Sequence, residues 1–206
     1  MNHSMLRLPR LLAFAALPLA LAGCVSIGES EPPESLLTLT STARAPAGTG
    51  AEAGGGSSEG VIAVKTPEAA AKLDVLRVPV AVNETEVAYL KQAYWVEKPA
   101  RLFRRLLGET LRTRMDALVL DGEASPSLAG RTLSGTLLDM GYDASAGEVV
   151  VRYDAVLTRA DGRVVSRRFE AMESVAVAEA GPVGAALNRA ANTLAGEVAD
   201  WLAAQE

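Results

Sequence analysis

The sequence predicts an α+β fold, a mainly antiparallel β-sheet with two amphipathic helices packed on one face. Three observations carry this expectation. Two segments, one starting at Pro99 and one at about Pro182, repeat apolar residues at three- and four-residue steps, which gathers them on one helical stripe. Between them, three runs alternate apolar and polar residues, the period-two pattern of strands buried on one side. The order of strands, helix, strands and helix leaves both stripes one economical partner, the apolar face of the sheet.

The chain opens on a targeting segment. Met1 to Arg10 carries Arg7 and Arg10 and no acid, and an apolar run follows from Leu11 to Ala22. These are the charged and apolar regions of a secretory signal. The run falls short of the roughly twenty residues a membrane-spanning helix needs, and Pro18 interrupts it. It ends in Leu21-Ala22-Gly23-Cys24, which resembles the lipobox of bacterial lipoproteins. The resemblance implies that residues 1–23 are removed and that Cys24 is lipidated. At ~0.8 kcal/mol per buried CH₂, two or more acyl chains hold a protein firmly on a membrane where one does not. Val25, rather than Asp, follows the cysteine, which implies sorting to the outer membrane with the body facing the periplasm.

Val25 to Ser35 is short, acidic and contains Pro32-Pro33, and reads as a tether. Leu36 to Thr40 is a short β-prone segment. Ala43 to Gly60 is rich in small residues, with Gly54-Gly55-Gly56-Ser57-Ser58 inside it, and reads as a flexible linker. Its glycines are no phosphate cradle, since no Lys-Ser/Thr follows them. Residues 24–60 therefore form an acylated tether, short strand and linker, and residues 61–206 the domain.

Val61 to Lys65 reads as a short strand. Leu76, Val78, Val80 and Val82 alternate with Arg77, Pro79, Ala81 and Asn83, and Pro79 places that strand at an edge or a bulge. Val87 to Trp95 is β-prone and aromatic. Pro99 suits the first turn of a helix. Its stripe is Leu102, Phe103, Leu106, Leu107, Leu111 and Met115, with Arg101, Arg104, Arg105, Glu109, Arg112 and Arg114 on the other face. Ala117 to Leu120 is a short strand. Thr132 to Met140 opens a meander and leads into a turn over 141–147. Val149, Val151, Tyr153, Ala155 and Leu157 then alternate along its second strand. Asp161-Gly162 signals a two-residue hairpin loop. Val165, Phe169 and Ala171 share one face of the third strand, with Val175 and Val177 further on in the same parity. Val183, Leu187, Ala190, Leu194, Val198, Trp201 and Leu202 form the stripe of the second helix.

Composition excludes more than it assigns. A formal charge of −5 argues against a nucleic-acid binder, and 4% aromatic residues argue against a stacking surface. His3 and Cys24 are the chain's single histidine and cysteine. The mature body therefore has no imidazole and no free thiol, and with them go Ser-His-Asp and Cys-His catalysis, a zinc site and an internal disulfide. The carboxylate pairs Glu84/Glu86 and Asp139/Asp143 read as solvated strand ends and turns. We expect no enzyme, no metal and no cofactor beyond the lipid on Cys24. Turnover by carboxylates alone is the weakest alternative.

Two groups are candidates for docking a partner. Arg101, Arg104, Arg105 and Arg112 flank the first helix stripe, and Arg163, Arg167 and Arg168 lie on the last strand. They read either as a face for an acidic partner or anionic lipid, or as a solvated helix face and a charged strand edge. Tyr94 and Trp95 stand just before the first helix, as a partner contact or as a staple at its start.

Several stretches together resemble one family. They are Ser35-Leu36-Leu37-Thr38-Leu39, Thr66-Pro67-Glu68-Ala69, Leu76-Arg77-Val78-Pro79-Val80, Val87-Ala88-Tyr89-Leu90 and Tyr94-Trp95-Val96-Glu97-Lys98-Pro99-Ala100-Arg101-Leu102. Further on come Leu138-Asp139-Met140-Gly141-Tyr142, Val149-Val150-Val151-Arg152-Tyr153-Asp154 and Arg167-Arg168-Phe169-Glu170-Ala171. With the lipobox, they resemble the ABC-type transport auxiliary lipoproteins, the PqiC-like family. The resemblance covers nearly the whole mature chain and is tightest in the run into the first helix. It implies a non-enzymatic subunit of a lipid transport system, docking at the outer membrane. The implied partners are an MCE-domain periplasmic protein, an inner-membrane ABC permease and ATPase, outer-membrane lipid, and further copies of the chain in a homo-oligomeric ring. No catalytic residues come with it. The alternative is a free-standing periplasmic lipid-binding or envelope-assembly lipoprotein, which needs a lipid-sized apolar pocket between sheet and helices.

Overall fold

The computed structural model describes residues 35–51, 60–115, 117–121 and 129–205. The signal peptide, Cys24, most of the tether and the Gly54–Ser58 stretch lie outside the described residues. The elements, in order, are β1 (Val61–Val64), β2 (Glu68–Ala69), β3 (Arg77–Ala81), β4 (Val87–Tyr94), α1 (Pro99–Arg114), β5 (Leu118–Leu120), β6 (Arg131–Asp143), β7 (Glu148–Arg159), β8 (Val164–Ser174) and α2 (Ala180–Ala203). A 3₁₀ turn, Ala71–Leu73, joins β2 to β3.

The expected meander is the centre of the sheet. β6 and β7 pair antiparallel from Asp143–Glu148 back to Arg131–Arg159, and β7 and β8 from Glu148–Ser174 to Thr158–Val164. Along the other side of β6, three short strands follow one another, all parallel to it. β1 pairs with Arg131–Leu133, β2 with Thr136–Leu137, and β3 with Tyr142–Asp143. β5 adds to β1 in parallel and β4 to β3 in antiparallel. The sheet is thus mixed, with the long ladders antiparallel and the parallel ones short. Parallel neighbours need a long crossover, and the chain from β3 through α1 to β6 supplies it.

Pro79 is not at an edge, because β3 lies between β4 and β6. It sits where the β3–β4 register shifts, between Arg77 and Pro79, so the bulge reading holds. β3 pairs with β6 only at Val80 and Ala81, past the proline, so its missing N–H costs that ladder no rung. Leu76 and Val82 fall outside β3 and stay exposed. β6 runs on to Asp143 instead of turning at Gly141, which is paired with Val150. The second hairpin has a three-residue loop rather than two. The Arg159 N–H donates to the Arg163 carbonyl at 2.9 Å, and Gly162 takes φ +82°, the left-handed residue such loops require.

The core is the face of the sheet under the helices. Leu133, Leu137, Met140, Val149, Val151, Tyr153, Ala155 and Leu157 are all fully buried, as is the predicted stripe of α2 from Val183 to Leu202 apart from a sliver of Trp201. Phe103 of α1 meets Tyr153 edge to face at 5.2 Å, and Trp201 of α2 meets Phe169 at 5.6 Å. Val165 and Val177 do not join this core; they are 36% and 50% exposed. The Trp201–Phe169 contact lies at the C-terminal end of α2, so the helix stops short of the start of β8.

Candidate functional site

Before β1, residues Leu37–Ala45 form a strap that the two helices hold. Leu37 makes a parallel bridge to Trp95, its N–H donating to the Tyr94 carbonyl at 2.7 Å, while the Val96 N–H donates to the Leu37 carbonyl at 2.9 Å. A Cβ on Gly184 of α2 would lie 2.6 Å from a Leu37 methyl, so the Leu37 side chain packs directly against the helix at this glycine. Farther along, the Thr40 and Thr42 N–H groups donate to the side-chain oxygens of Asn188 and Asn192, each at 2.8 Å. Asn192 returns a bond to the Thr40 carbonyl at 2.9 Å. The Ala45 N–H donates to Glu109 of α1 at 2.9 Å. Asn188 and Asn192 are one helical turn apart, which puts both amides under one extended chain. A groove of about 470 Å³ follows this seam, lined by Leu39, Arg44, Arg105, Glu109, Arg112 and Asp121 among others.

The candidate docking residues divide around this seam. Trp95 is 1% exposed and belongs to the core, so it offers no surface to a partner. Its indole Nε1 has no hydrogen-bond partner among the described residues. Tyr94 points to the opposite side of the strand and is half-buried, with the Arg77 guanidinium 5.9 Å from its ring and 5.0 Å from that of Tyr89. Arg101 and Arg105 both reach Glu97, the former at 3.5 Å. Arg112 binds Asp121 at 2.5 Å and Glu109 at 3.6 Å. Arg104 meets no carboxylate among the described residues, and its Nε is buried. The helix arginines are therefore mostly neutralised in place, and a partner would find Arg104 and the exposed guanidinium faces of Arg101 and Arg105. Arg114, outside the candidate docking set, ties α1 to α2 through Asp200 and the Gly196 carbonyl, both at 3.0 Å.

A second cavity, of about 530 Å³, lies on the sheet face away from the helices, between the Asn83 and Ser145 turns. Lys72, Pro79, Asp139, Tyr142 and Arg152 line it. The sequence pattern alone places Asp139 at a solvated strand end. It instead binds both Lys72 and Arg152, and Arg152 goes on to Glu170, so one charge ladder crosses from the 3₁₀ turn to β8. Only the register brings these residues together, which is why spacing along the chain could not reveal it. Asp143 does cap a turn, accepting from Ser145 Oγ, the Ser145 N–H and the Ala146 N–H. The Ser145 hydroxyl, then these amides, hold its carboxyl below the usual range. Among the described residues no cluster of histidine, cysteine or carboxylate side chains could hold a metal, and no helix is long and apolar enough to cross a membrane.

What the arrangement offers is binding and positioning: a helix-held strap that leads from the N-terminal segment, a pair-neutralised helix face and a polar open sheet. The sequence pattern of the ABC-type transport auxiliary lipoprotein component matches residues 38–199. The chain belongs to that family. The match begins inside the strap and ends in the last turns of α2, so it takes in every element described above. It makes the protein an auxiliary component of ABC-type transport and a lipoprotein by family, and the family is one of transport components rather than enzymes. No curated protein matches the chain. The fold is similar to that of a Xanthomonas campestris protein, at 19% identity and TM-score 0.65 over 82% of this chain and 94% of the other. It is also similar to the crystal structure of a protein described only as uncharacterised, at 14% identity and TM-score 0.62 over 70% and 93% of the two chains.

Proposed function

We propose that this auxiliary lipoprotein is the outer-membrane end of an MCE-type ABC lipid transport system, anchored through acylated Cys24 and facing the periplasm. The observation that carries this reading is the family match over 38–199, downstream of the lipobox Leu21-Ala22-Gly23-Cys24. The partners are an MCE-domain periplasmic protein and the inner-membrane permease and ATPase, with outer-membrane lipid under the anchor. The protein works by docking, without turnover. Tyr94, Arg101, Arg104, Arg105 and Arg112 are the side chains around which that docking is sought. The sheet–helix layer speaks against a free lipid carrier: Ala186, Ala190, Ala191, Ala195 and Ala199 of α2 are 0–1% exposed, and such small side chains bring the helix close onto the sheet. Both cavities described lie outside that layer.

The test is to solubilise membranes mildly, isolate the acylated protein and identify what accompanies it. We expect an MCE-domain protein and ABC subunits, lost in Cys24→Ser. Recovery of the protein with bound lipid and no transporter subunit would make it a free-standing carrier instead.

A further inference from the structure

The start of the strap extends the sheet beside β4. Leu37, in its parallel bridge to Trp95, bonds to residues 94 and 96 at once, which sets residue 36 beside Tyr94. Leu37 turns to Gly184 of α2, so Leu36 turns the other way, onto the open face. Across β4, Arg77 is the register partner of Tyr94. Leu36, Tyr94 and Arg77 therefore stand in one row on the open face, with Val96 two residues past Tyr94.

This row is left open. Leu36 and Val96 are each 52% exposed, and Leu76, whose carbonyl accepts the Trp95 N–H at 2.7 Å, is 46% exposed at the same end. Arg77 meets no carboxylate among the described residues; its guanidinium lies over the Tyr89 and Tyr94 rings, and its buried Nε has no hydrogen-bond partner. The acids at this end, Asp74 and Glu97, are already held by Lys98 and by Arg101 and Arg105. Exposed aliphatic side chains, a tyrosine and an unpaired arginine suit a phospholipid surface. The aliphatics enter the acyl boundary, the phenol sits at headgroup level and the guanidinium takes a phosphate. The far end of the same hairpin shows the contrast. Val82 and Val87 are 44% and 50% exposed there, but the exposed Glu84 and Glu86 stand between them and repel a phosphate.

The covalent path chooses between the two ends. Leu36 is twelve residues from Cys24, a span of at most about 40 Å. An anchored chain keeps this end of the body near the bilayer, and a short tether gives an effective concentration of about millimolar, at which a small patch suffices. The geometry points to a lipid-contact surface: Leu36, Tyr94, Val96 and Arg77 rest on the phospholipid leaflet that holds Cys24, the two aliphatics among the upper acyl chains and Arg77 on a headgroup phosphate. This rests on the acylated Cys24 of the proposed function and deepens it. The body touches the membrane as well as the tether, and two contacts fix the orientation in which a transporter meets it. Of the docking candidates, it assigns Tyr94 to lipid.

Cys24 is the chain's single cysteine, and its acylation lets an introduced cysteine be labelled alone. The full mature chain carrying Leu36→Cys, Val96→Cys or, at the hairpin tip, Val87→Cys is labelled with a fluorophore. Each is reconstituted into vesicles of phosphatidylethanolamine and phosphatidylglycerol. A nitroxide on the lipid acyl chain then reads contact by quenching. All three positions are exposed, so the labels leave the core intact. We expect quenching at 36 and 96 several-fold above that at 87. One cation at a phospholipid surface is worth about a five-fold change in binding, so Arg77→Gln should lower the contrast several-fold. Equal quenching at all three positions in protein that floats with the vesicles, or a contrast that Arg77→Gln leaves whole, overturns the proposal and leaves the anchor standing. Protein that does not float overturns the anchor, and this surface with it. Labels shielded only when the co-purifying subunits are added assign the patch to a protein partner and overturn it likewise.

Discussion

Along β7, Val149, Val151, Tyr153, Ala155 and Leu157 are completely buried beneath the helices, while Val150, Arg152, Asp154, Val156 and Thr158 between them are only half-buried. One backbone carries both sets, because successive side chains of a strand point to opposite faces. The helix side is held by area removed from water, a non-directional force that tolerates no gap. The open side is held by cross-strand pairs whose partners depend on register: Asp139 opposite Arg152, Arg152 opposite Glu170, Asp154 opposite Arg168. A slip of one residue would exchange the two sets and bury Arg152 and Asp154. The charges thus reinforce the register that the core requires. The Arg168 guanidinium, first by hydrogen bonding and then by its charge, keeps the Asp154 carboxyl below its ordinary range. This rung therefore survives well into mild acid.

The comparison breaks most clearly at Phe103. Its side chain is completely buried and meets Tyr153 edge to face. Phe103→Ala leaves a cavity between α1 and the sheet, and we expect a loss of about 3–5 kcal/mol in chemical denaturation. On the open face, Asp139→Ala leaves Lys72 without its carboxylate and Arg152 with Glu170 alone, both cations being about one-third exposed. Solvent takes over part of what the carboxylate supplied, so the loss should be about 1 kcal/mol and should shrink as salt is added. A loss at Asp139 as large as that at Phe103 would mean that the open face is covered in solution.

What the sequence could say follows the same division. Period-two and three-to-four-residue patterns report burial, so the stripes of α1 and α2 and the alternation from Val149 to Leu157 were legible residue by residue. Patterns report nothing about which strands are neighbours. β1, β2 and β3 come to lie in a row along β6 through pairings distant in sequence, and no local signal announces them. Asp161-Gly162 marked the hairpin, but the loop length depended on where Arg159 and Arg163 close the ladder. Pro79 marked an irregularity, and only the order of strands decided between edge and bulge. Val165 and Val177 had the right parity and no helix above them. At the candidate site, the sequence left Trp95 open between a partner contact and a staple, and its burial removes the first; the arginines' carboxylate partners were visible only in part: Glu97 and Glu109 lie within a turn or two on the chain, but Asp121 comes from beyond α1. The strap's hold on Asn188 and Asn192 spans most of the chain and left no trace in either segment alone.

Tyr153 sharpens the comparison from inside the core, because it is the one hydroxyl-bearing member of the alternating buried set on β7. Its hydroxyl donates to the Ser134 carbonyl at 2.7 Å, so the buried polar atom is satisfied. Burial pushes the phenol's pKa up from its ordinary value. The unfolded chain ionises this tyrosine near pH ~10, and the folded chain keeps it neutral. Above that pH the unfolded state binds fewer protons than the native state, so stability falls as pH rises; below it, the contribution is whole. Tyr153→Phe removes one hydrogen bond and should cost roughly 0.5–1 kcal/mol at neutral pH. Between pH 9 and 11, urea denaturation of the wild type should lose stability faster than that of the variant. The two curves should converge, since phenylalanine has no proton to lose. Parallel curves across that range would mean that water reaches the hydroxyl and that the layer beneath the helices is looser than its packing implies.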